Sequence, residues 1–310
     1  MSGATAIVTG AAGFLGKTLV EKLLEAGARV VGIDRLPDDG GCLAAGVYHR
    51  VDALDFDDLL NALQQHGGGA GDAAVVFHLI GQANVGACAA DPRDAFLLNV
   101  IGTANVLEAC RRTGIRRLVY PSSALVYDTP AATTIDERAP VRPRSIYAAT
   151  KLAAESMLSG YASAYGFCCS VARLGNVYGR EATEESIVAI VIRQVAAGGP
   201  IAVRSLAPVR DFVFHDDVAD GLVALALVGD DPGFTVFNLA SGVPTTIRDL
   251  VMTACRLADL DTEVLERAPR PEDLHDRIVL SVNRMAERAQ WRTAWSLEDG
   301  LSAIMSGMKE

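Results

Sequence analysis

Residues Thr9–Gly16 read TGAAGFLG and follow the apolar run Ala6-Ile7-Val8. Gly10, Gly13 and Gly16 stand three apart, where a short strand-like run gives way to apolar positions at helical spacing: Phe14, Leu15, Leu19, Leu23 and Leu24. Between a strand and a helix, such glycines have a physical reading. Gly10 permits a tight turn, Gly13 lets the backbone approach a pyrophosphate, and Gly16 lets the helix pack close to the strand. The helix then presents unpaired N–H groups and the positive end of its dipole to the phosphates.

Outward from this stretch, β-rich and helical runs alternate. Strands are expected at 6–8, 29–34, 47–51, 74–80, 117–123 and 168–174, and helices at 14–26, 55–65, 93–113 and 145–165. Residues 74–80, AVVFHLI, are almost continuously apolar, as a strand covered on both faces should be. Parallel strands need crossover connections, so the repeat predicts an α/β fold: a doubly wound parallel sheet of Rossmann type. Past residue 176 the pattern loosens around Gly198-Gly199-Pro200, Pro208, Pro232 and the run Ala268–Asp273. The expected division is a dinucleotide-binding domain over 1–176 with a return segment at 209–228. A smaller C-terminal α/β substrate-binding lobe would take 177–208 and 229–310, with Trp291 and Trp295 packing it.

Across 310 residues, 28 Lys and Arg face 38 Asp and Glu, a net charge of −10. Nucleic acid or an anionic membrane as main partner would call for a basic face, so neither is expected. The densest apolar run, Ile187–Ile192, is far short of a membrane span, and the N-terminus carries no basic, apolar leader pattern. The six cysteines, at 42, 88, 110, 168, 169 and 255, include no CxxC pair. These features predict a cytoplasmic protein with reduced thiols.

The second strand ends in Asp34, 18 residues after Gly16, where a carboxylate can bind both hydroxyls of an adenosine ribose and repel a 2′-phosphate. NAD is thereby favoured over NADP, a preference that neighbouring Arg35 weakens. Asp52, in RVDALD, is placed to reach an adenine amino group or to cap the helix at 55–65, although Asp55 suits the cap better. In SIYAATK, Tyr147 and Lys151 share one helical face. An ammonium near the phenol would lower its pKa from about 10 and make it a usable base, and Tyr147 and Lys151 are expected to face the cofactor as well, Lys151 holding the nicotinamide ribose. Tyr-x-x-x-Lys is frequent by chance. Its weight here comes from Ser122-Ser123 at the end of the preceding strand, where a serine hydroxyl can bond the same substrate oxygen. His215-Asp216-Asp217 looks like a metal cluster, but no metal is expected, because Asp217 is better read as a helix start; His78 closes a buried strand and reads as structural.

With these residues in place, the chain resembles the extended short-chain dehydrogenases/reductases, in particular their nucleotide-sugar epimerase/dehydratase group. The resemblance rests on TGAAGFLG, Asp34, Asp52, HLIGQANV at 78–85, NVIGTANVLEAC at 99–110, PSSALVYD at 121–128, YAATK, RLGNVYGR at 173–180, RDFVFHDDVADGL at 210–222 and SLEDGL at 296–301. It implies Ser123, Tyr147 and Lys151 as the catalytic set, and Gly10, Gly13, Gly16, Asp34, Asp52 and Asn99 around the dinucleotide. Leu79, Ile80 and Gly81 would line the cofactor site at the end of the fourth strand, with Phe14, Leu15, Arg35 and Ala53 beside it. Asn176, Arg210 and Arg270 would hold the diphosphate of a nucleotide-diphosphate sugar. A guanidinium's fixed fork suits phosphate oxygens. The family's Arg-x-Gly-Asp run reads Arg270-Pro271-Glu272-Asp273 here. HLIG replaces the commoner His-Leu-Ala-Ala, Ala83 replaces a lysine of some sugar epimerases, and EATEESIV after Arg180 is short for a loop that often covers the base.

The resemblance also implies a shared first step: Tyr147 takes a sugar hydroxyl proton while hydride leaves the same carbon for the nicotinamide. The 4,6-dehydratases place Asp-Glu directly after the active-site serine or threonine. Here Ala124-Leu125 stand there, and neither transfers a proton. The expected enzyme is therefore an isomerase with bound NAD, inverting C4 of a UDP-linked or other nucleotide-linked hexose or uronic acid. A keto-sugar reductase or dehydrogenase is the alternative, with a dehydratase ranked behind both. Family members commonly dimerise through helices corresponding to 93–113 and 145–165, so a homodimer is expected.

Overall fold

The computed structural model describes residues 1–37, 46–66, 74–128, 134–180, 182, 185–229 and 231–307. Cys42 and residues 181, 183 and 184 of the EATEESIV loop lie outside the described residues.

Six strands in chain order build most of the central sheet: β1 (Thr5–Thr9), β2 (Arg29–Asp34), β3 (Val47–Arg50), β4 (Val75–His78), β5 (Arg117–Ser123) and β6 (Cys168–Leu174). The seventh strand is Gly233–Leu239, and the order from that edge is Gly233–Leu239, β6, β5, β4, β1, β2, β3. Every adjacent pair is parallel. The order reverses between β1 and β4, so a crevice opens there beyond the carboxyl ends of the strands, the usual ligand site of such sheets.

Period-two alternation sends successive side chains into two cores. Ala6, Val8, Val30, Phe77, Val119, Ala172 and Phe237 face the first, covered by α1 (Phe14–Glu25) and the helix His215–Ala226. Ile7, Val31, Ile33, Val76, Leu118, Tyr120 and Val171 face the second, under α2 (Phe56–Gln64) and the helices Gly102–Thr113 and Ile146–Tyr165. Asp55 caps α2 by accepting from the Asp58 N–H at 3.2 Å. Cys169 is buried in the second core, whereas Cys168 turns to the other side of its strand and bonds the Gly229 carbonyl.

The segment expected to return to the sheet at 209–228 does so only through its helix. Its strand Phe212–Phe214 pairs instead with Asn176–Tyr178 in a separate two-stranded sheet. The edge strand comes from Gly233–Leu239, which the sequence reading gave to the lobe. It completes the sheet by pairing all seven residues with β6. Trp291 likewise packs in the first sheet core with Leu222, Phe237 and Met285. Trp295 belongs to a third core, with Tyr178, the helices Ile187–Ala197 and Ile247–Leu257, and Leu301.

Candidate active site

The glycine turn is built by close backbone approach. Gly10 has φ +77°, and a Cβ there would stand 2.9 Å from the Ile80 nitrogen at the end of β4. A Cβ on Gly16 would stand 2.0 Å from the Gly10 oxygen and 2.9 Å from Ala11 Cα, so α1 can begin this close to its own turn only without a side chain. The buried Asp34 carboxylate holds the turn from β2, accepting the Ala12 N–H at 3.1 Å and the Leu36 N–H at 3.0 Å. Gly10, Gly13, Asp34, Arg35, Asp52, Ala53, Leu79, Ile80 and Gly81 line one cleft, joined by Val51 and Leu98, which sequence reasoning missed. Neither carries a motif signal; each is an apolar residue that the fold brings to the cleft.

These residues fit a dinucleotide. The first-turn amides of α1 have no partner within their helix, Gly10 and Gly13 line the cleft without a side chain, and a carboxylate stands at the end of the second strand. Asn99 is not in the cleft wall. A π-helical turn, Leu97–Ile101, carries it inward, where Oδ1 accepts the Gln82 N–H at 2.7 Å and Nδ2 donates to the Gln82 carbonyl and to Thr150. Thus Asn99 fixes the loop after β4, and Gly81 is required because a Cβ there would meet Asn99 Oδ1 at 2.6 Å. His78 ties the same region together. The Thr103 hydroxyl donates to the Asn99 carbonyl at 2.7 Å and so accepts from His78 Nε2, which leaves Nδ1 to accept from Thr9. Complete burial, with Lys151 adding repulsion, pulls the imidazole down to about 3, so it stays neutral.

A second cavity, of about 460 Å³, adjoins the ends of β5 and β6. Ser123, Tyr147, Asn176 and Arg210 all reach it, with Ser122, Ala124, Leu125, Asn84, Val85, Ser186 and Ile278 around them. Phe14 and Leu15, expected beside the cofactor, line this cavity and not the cleft. Among the described lining residues there is no carboxylic acid. Arg210 is anchored by Asp276 at 2.6 Å and by the carbonyls of Val209 and Asp276. Arg270 does not join it. The Asp273 carboxylate holds the Arg270 N–H at 2.9 Å and pairs with Arg204, and the Arg270 side chain lines a separate cavity with Arg248, Thr246 and Glu266.

The helix Ile146–Tyr165, capped by Ser145, delivers Tyr147 and Lys151 on one buried face. Ser123 and Tyr147 line this cavity together, with Cys88, Ala95 and Leu125 packed around the tyrosine ring, and Ser123 Oγ accepts the Leu125 N–H at 3.2 Å. The expected acidification by Lys151 is not what this geometry produces. Burial pushes the phenol up to about 12, and the nearby Ser123 hydroxyl offsets this only in part. Lys151 Nζ is committed elsewhere: it donates to the Pro121 carbonyl at 3.0 Å and lies 4.8 Å from the centre of the Tyr120 ring. Its own pKa falls to about 8 through burial, against the opposing pull of Cys88 and Glu155. His215 and Asp217 serve packing contacts. His215 bonds Thr18 at 2.9 Å, and Asp217 accepts the N–H groups of Ala294 and Trp295.

A glycine turn at the switch point, an acidic residue ending the second strand, and a serine–tyrosine pair beside a buried lysine together carry the same pattern that known proteins share. The profile described as the NAD dependent epimerase/dehydratase family matches residues 6–240. The chain belongs to that family. It is an NAD-dependent enzyme. The chain is 35% identical over 308 residues to a UDP-glucose 4-epimerase of Mycolicibacterium smegmatis, covering 96% of each. It is 30% identical over 310 residues to a GDP-6-deoxy-D-mannose reductase of Pseudomonas aeruginosa, covering 96% of this chain and 95% of that one. Among solved structures, the UDP-glucose 4-epimerase of Thermus thermophilus in complex with NAD is similar at a TM-score of 0.86 and 31% identity, over 98% of this chain and 99% of that one. The family description agrees with the cleft, where Asp34 stands in the position that favours NAD.

Proposed function

We propose that this family member is a 4-epimerase of a nucleotide-diphosphate sugar, a UDP-hexose or UDP-uronic acid. The observation that carries the reading is the composition of the cavity: a serine–tyrosine pair, an anchored arginine, and no carboxylic acid among its described lining residues. Expelling water across C5 and C6 requires a further acid–base pair, and Ala124 and Leu125 occupy the positions where the dehydratases carry one. Inversion requires no additional acid.

Gly10, Gly13, Asp34, Asp52, Leu79, Ile80 and Gly81 hold the cofactor, and Lys151 and Asn99 fix the strand end and loop beside it. NAD, when bound, supplies an oxidant that accepts and returns one hydride, and a cationic ring whose charge favours the phenolate. Tyr147 takes the C4 hydroxyl proton and later gives it back, while Ser123 donates a hydrogen bond to the same oxygen. Asn176 and Arg210 grip the diphosphate, so that the sugar can turn over in the cavity without leaving. Arg270, in its own cavity, contributes at most through another part of the nucleotide.

The test is a panel of nucleotide sugars incubated with the purified enzyme, read by NMR for inversion at C4 and by absorbance for reduced nicotinamide. An epimer with no net change in reduced cofactor is expected. Failure to invert every nucleotide sugar would falsify the reading. The reductase relative keeps a second reading in view, in which the same serine, tyrosine and lysine reduce a keto-sugar. One equivalent of NAD(P)H consumed per turnover would favour it.

The working unit is proposed to be a homodimer. Supporting this, Phe96, Ile101 and Ile146 are exposed on the outer faces of the segments 92–113 and 146–165. Ala149 is also exposed, whereas Ala148 is buried and Ala154 packs in the second sheet core.

A further inference from the structure

We propose that Glu155 is a positioning residue for this reaction, acting through Ser122 to aim the Ser123 hydroxyl at the Tyr147 phenol. The inference rests on the reading of Ser123 and Tyr147 as the proton-handling pair.

Tyr147, Lys151 and Glu155 follow one another at steps of four along the helix Ile146–Tyr165, so they share a face, and all three are buried. That face meets the end of β5 residue by residue. Lys151 Nζ donates to the Pro121 carbonyl at 3.0 Å, the Ser122 hydroxyl donates to Glu155 Oε1 at 2.5 Å, and Ser123 borders the same cavity as Tyr147. Successive side chains of a strand emerge on alternate sides. The Ser122–Glu155 bond holds the backbone at the end of β5 against the helix, and Ser123, the next residue, enters the cavity from that backbone with its Oγ accepting the Leu125 N–H at 3.2 Å.

A carboxylate buried to 2% exposure is costly unless fully bonded. Glu155 is fully bonded. Arg173 is the cross-strand neighbour of Ser122 on β6, and it donates Nε to Oε1 at 3.0 Å and Nη2 to Oε2 at 2.6 Å. The guanidinium lies 4.6 Å from the centre of the Tyr127 ring, and the Tyr127 hydroxyl donates to Asn238 Oδ1 at 2.6 Å on the edge strand Gly233–Leu239. Stability alone does not account for this arrangement, because a buried ion pair is commonly no better for stability than well-packed apolar side chains of the same volume. What it adds is a fixed point. The serine end of β5 is tied to the tyrosine-bearing helix by a short hydrogen bond to an anchored charge, and such a bond is more directional and stronger than a neutral one.

Ser122→Ala tests this with the Glu155–Arg173 pair left intact. The expected result is a fall in kcat of about tenfold, with KM for the nucleotide sugar changed by less than about twofold and bound NAD retained. Ser122→Thr, which keeps the hydroxyl, should restore most of the loss. Glu155→Gln, which also removes the charge facing Arg173, should lower kcat as well, and its loss combined with Ser122→Ala should be less than additive because the Ser122–Glu155 contact is shared by both. A crystal structure of Ser122→Ala should show the Ser123 oxygen moved away from the Tyr147 oxygen. An unchanged kcat in Ser122→Ala, an equal loss in Ser122→Thr, or an unmoved Ser123 would overturn the proposal. The positional readout needs no turnover, so a wild-type enzyme inactive on every sugar counts against the 4-epimerase reading while the variant structure still decides this one.

Discussion

Tyr147 is held by its surroundings in the protonated form, since burial raises its phenol to about 12 and the nearby Ser123 hydroxyl offsets this only in part. A proton transfer through this phenol makes Tyr147→Phe costly: kcat should drop by at least about a hundredfold, with NAD still bound, as steady-state kinetics on the purified variant will show. His78 offers a different check. The unfolded imidazole takes a proton near 6.5, but the folded one does so only near 3. Between those values the unfolded state binds more protons, so stability is present above pH 6.5 and is lost as pH falls toward 3. Denaturant unfolding of His78→Gln across that range should give a pH slope shallower by up to about 1.4 kcal/mol per pH unit. An unchanged slope would mean that the buried imidazole is already charged. At this scale the sequence was legible for identity and not for environment. Spacing singled out Tyr147 and Lys151, their place after a strand singled out Ser122-Ser123, and the family resemblance chose Ser123, but the direction of the phenol's shift was not legible, because it depends on where Lys151 Nζ points and how deeply the ring is buried.

At the scale of elements, the turn between β1 and α1 is the least forgiving part of the molecule. Gly16→Ala would drive a methyl group into the Gly10 carbonyl, which is backbone and cannot swing aside. Overpacking of this kind costs about 1–3 kcal/mol, and here it also spreads the cradle for the phosphates. Thermal unfolding should show a lower Tm, and the purified variant should retain less NAD. A variant with native Tm and native NAD content would show that the turn can open without cost. The glycines were legible because only glycine satisfies such backbone approach. The helical segment 93–113 was legible as a helix, but its π-helical turn was not: nothing in LLNVI announces the extra residue that rotates Asn99 toward Gln82. Arg270 shows the same limit. Its motif resembles the family's, yet the loop is folded around Asp273 and Arg204, and long-range partners of that kind carry no local signal.

Across the whole molecule, the central strands announced themselves as apolar runs covered on both faces, and the edge strand Gly233–Leu239, unlike β3 at the other edge, did not. Four of the seven residues of Gly233–Leu239 are only partly buried, so its pattern is weaker than that of β4, although it pairs fully with β6. Through Asn238 it also supports the network around Tyr127 and Arg173. The outer faces that carry Phe96 and Ile101, 49% and 36% exposed, are where a second copy should bind. Sedimentation should show a dimer, and Phe96→Glu combined with Ile101→Glu should shift it toward monomer; a monomeric wild type would remove the homodimer from the account. No helix among the described residues is long and apolar enough to cross a membrane. The central claim is that one site takes hydride from C4 and returns the same hydride to the opposite face. A nucleotide hexose deuterated at C4, turned over in ordinary water and analysed by NMR, tests it directly. The account predicts an inverted product that keeps its deuterium at C4, and a product with protium there, or deuterium recovered in released reduced cofactor, would contradict it.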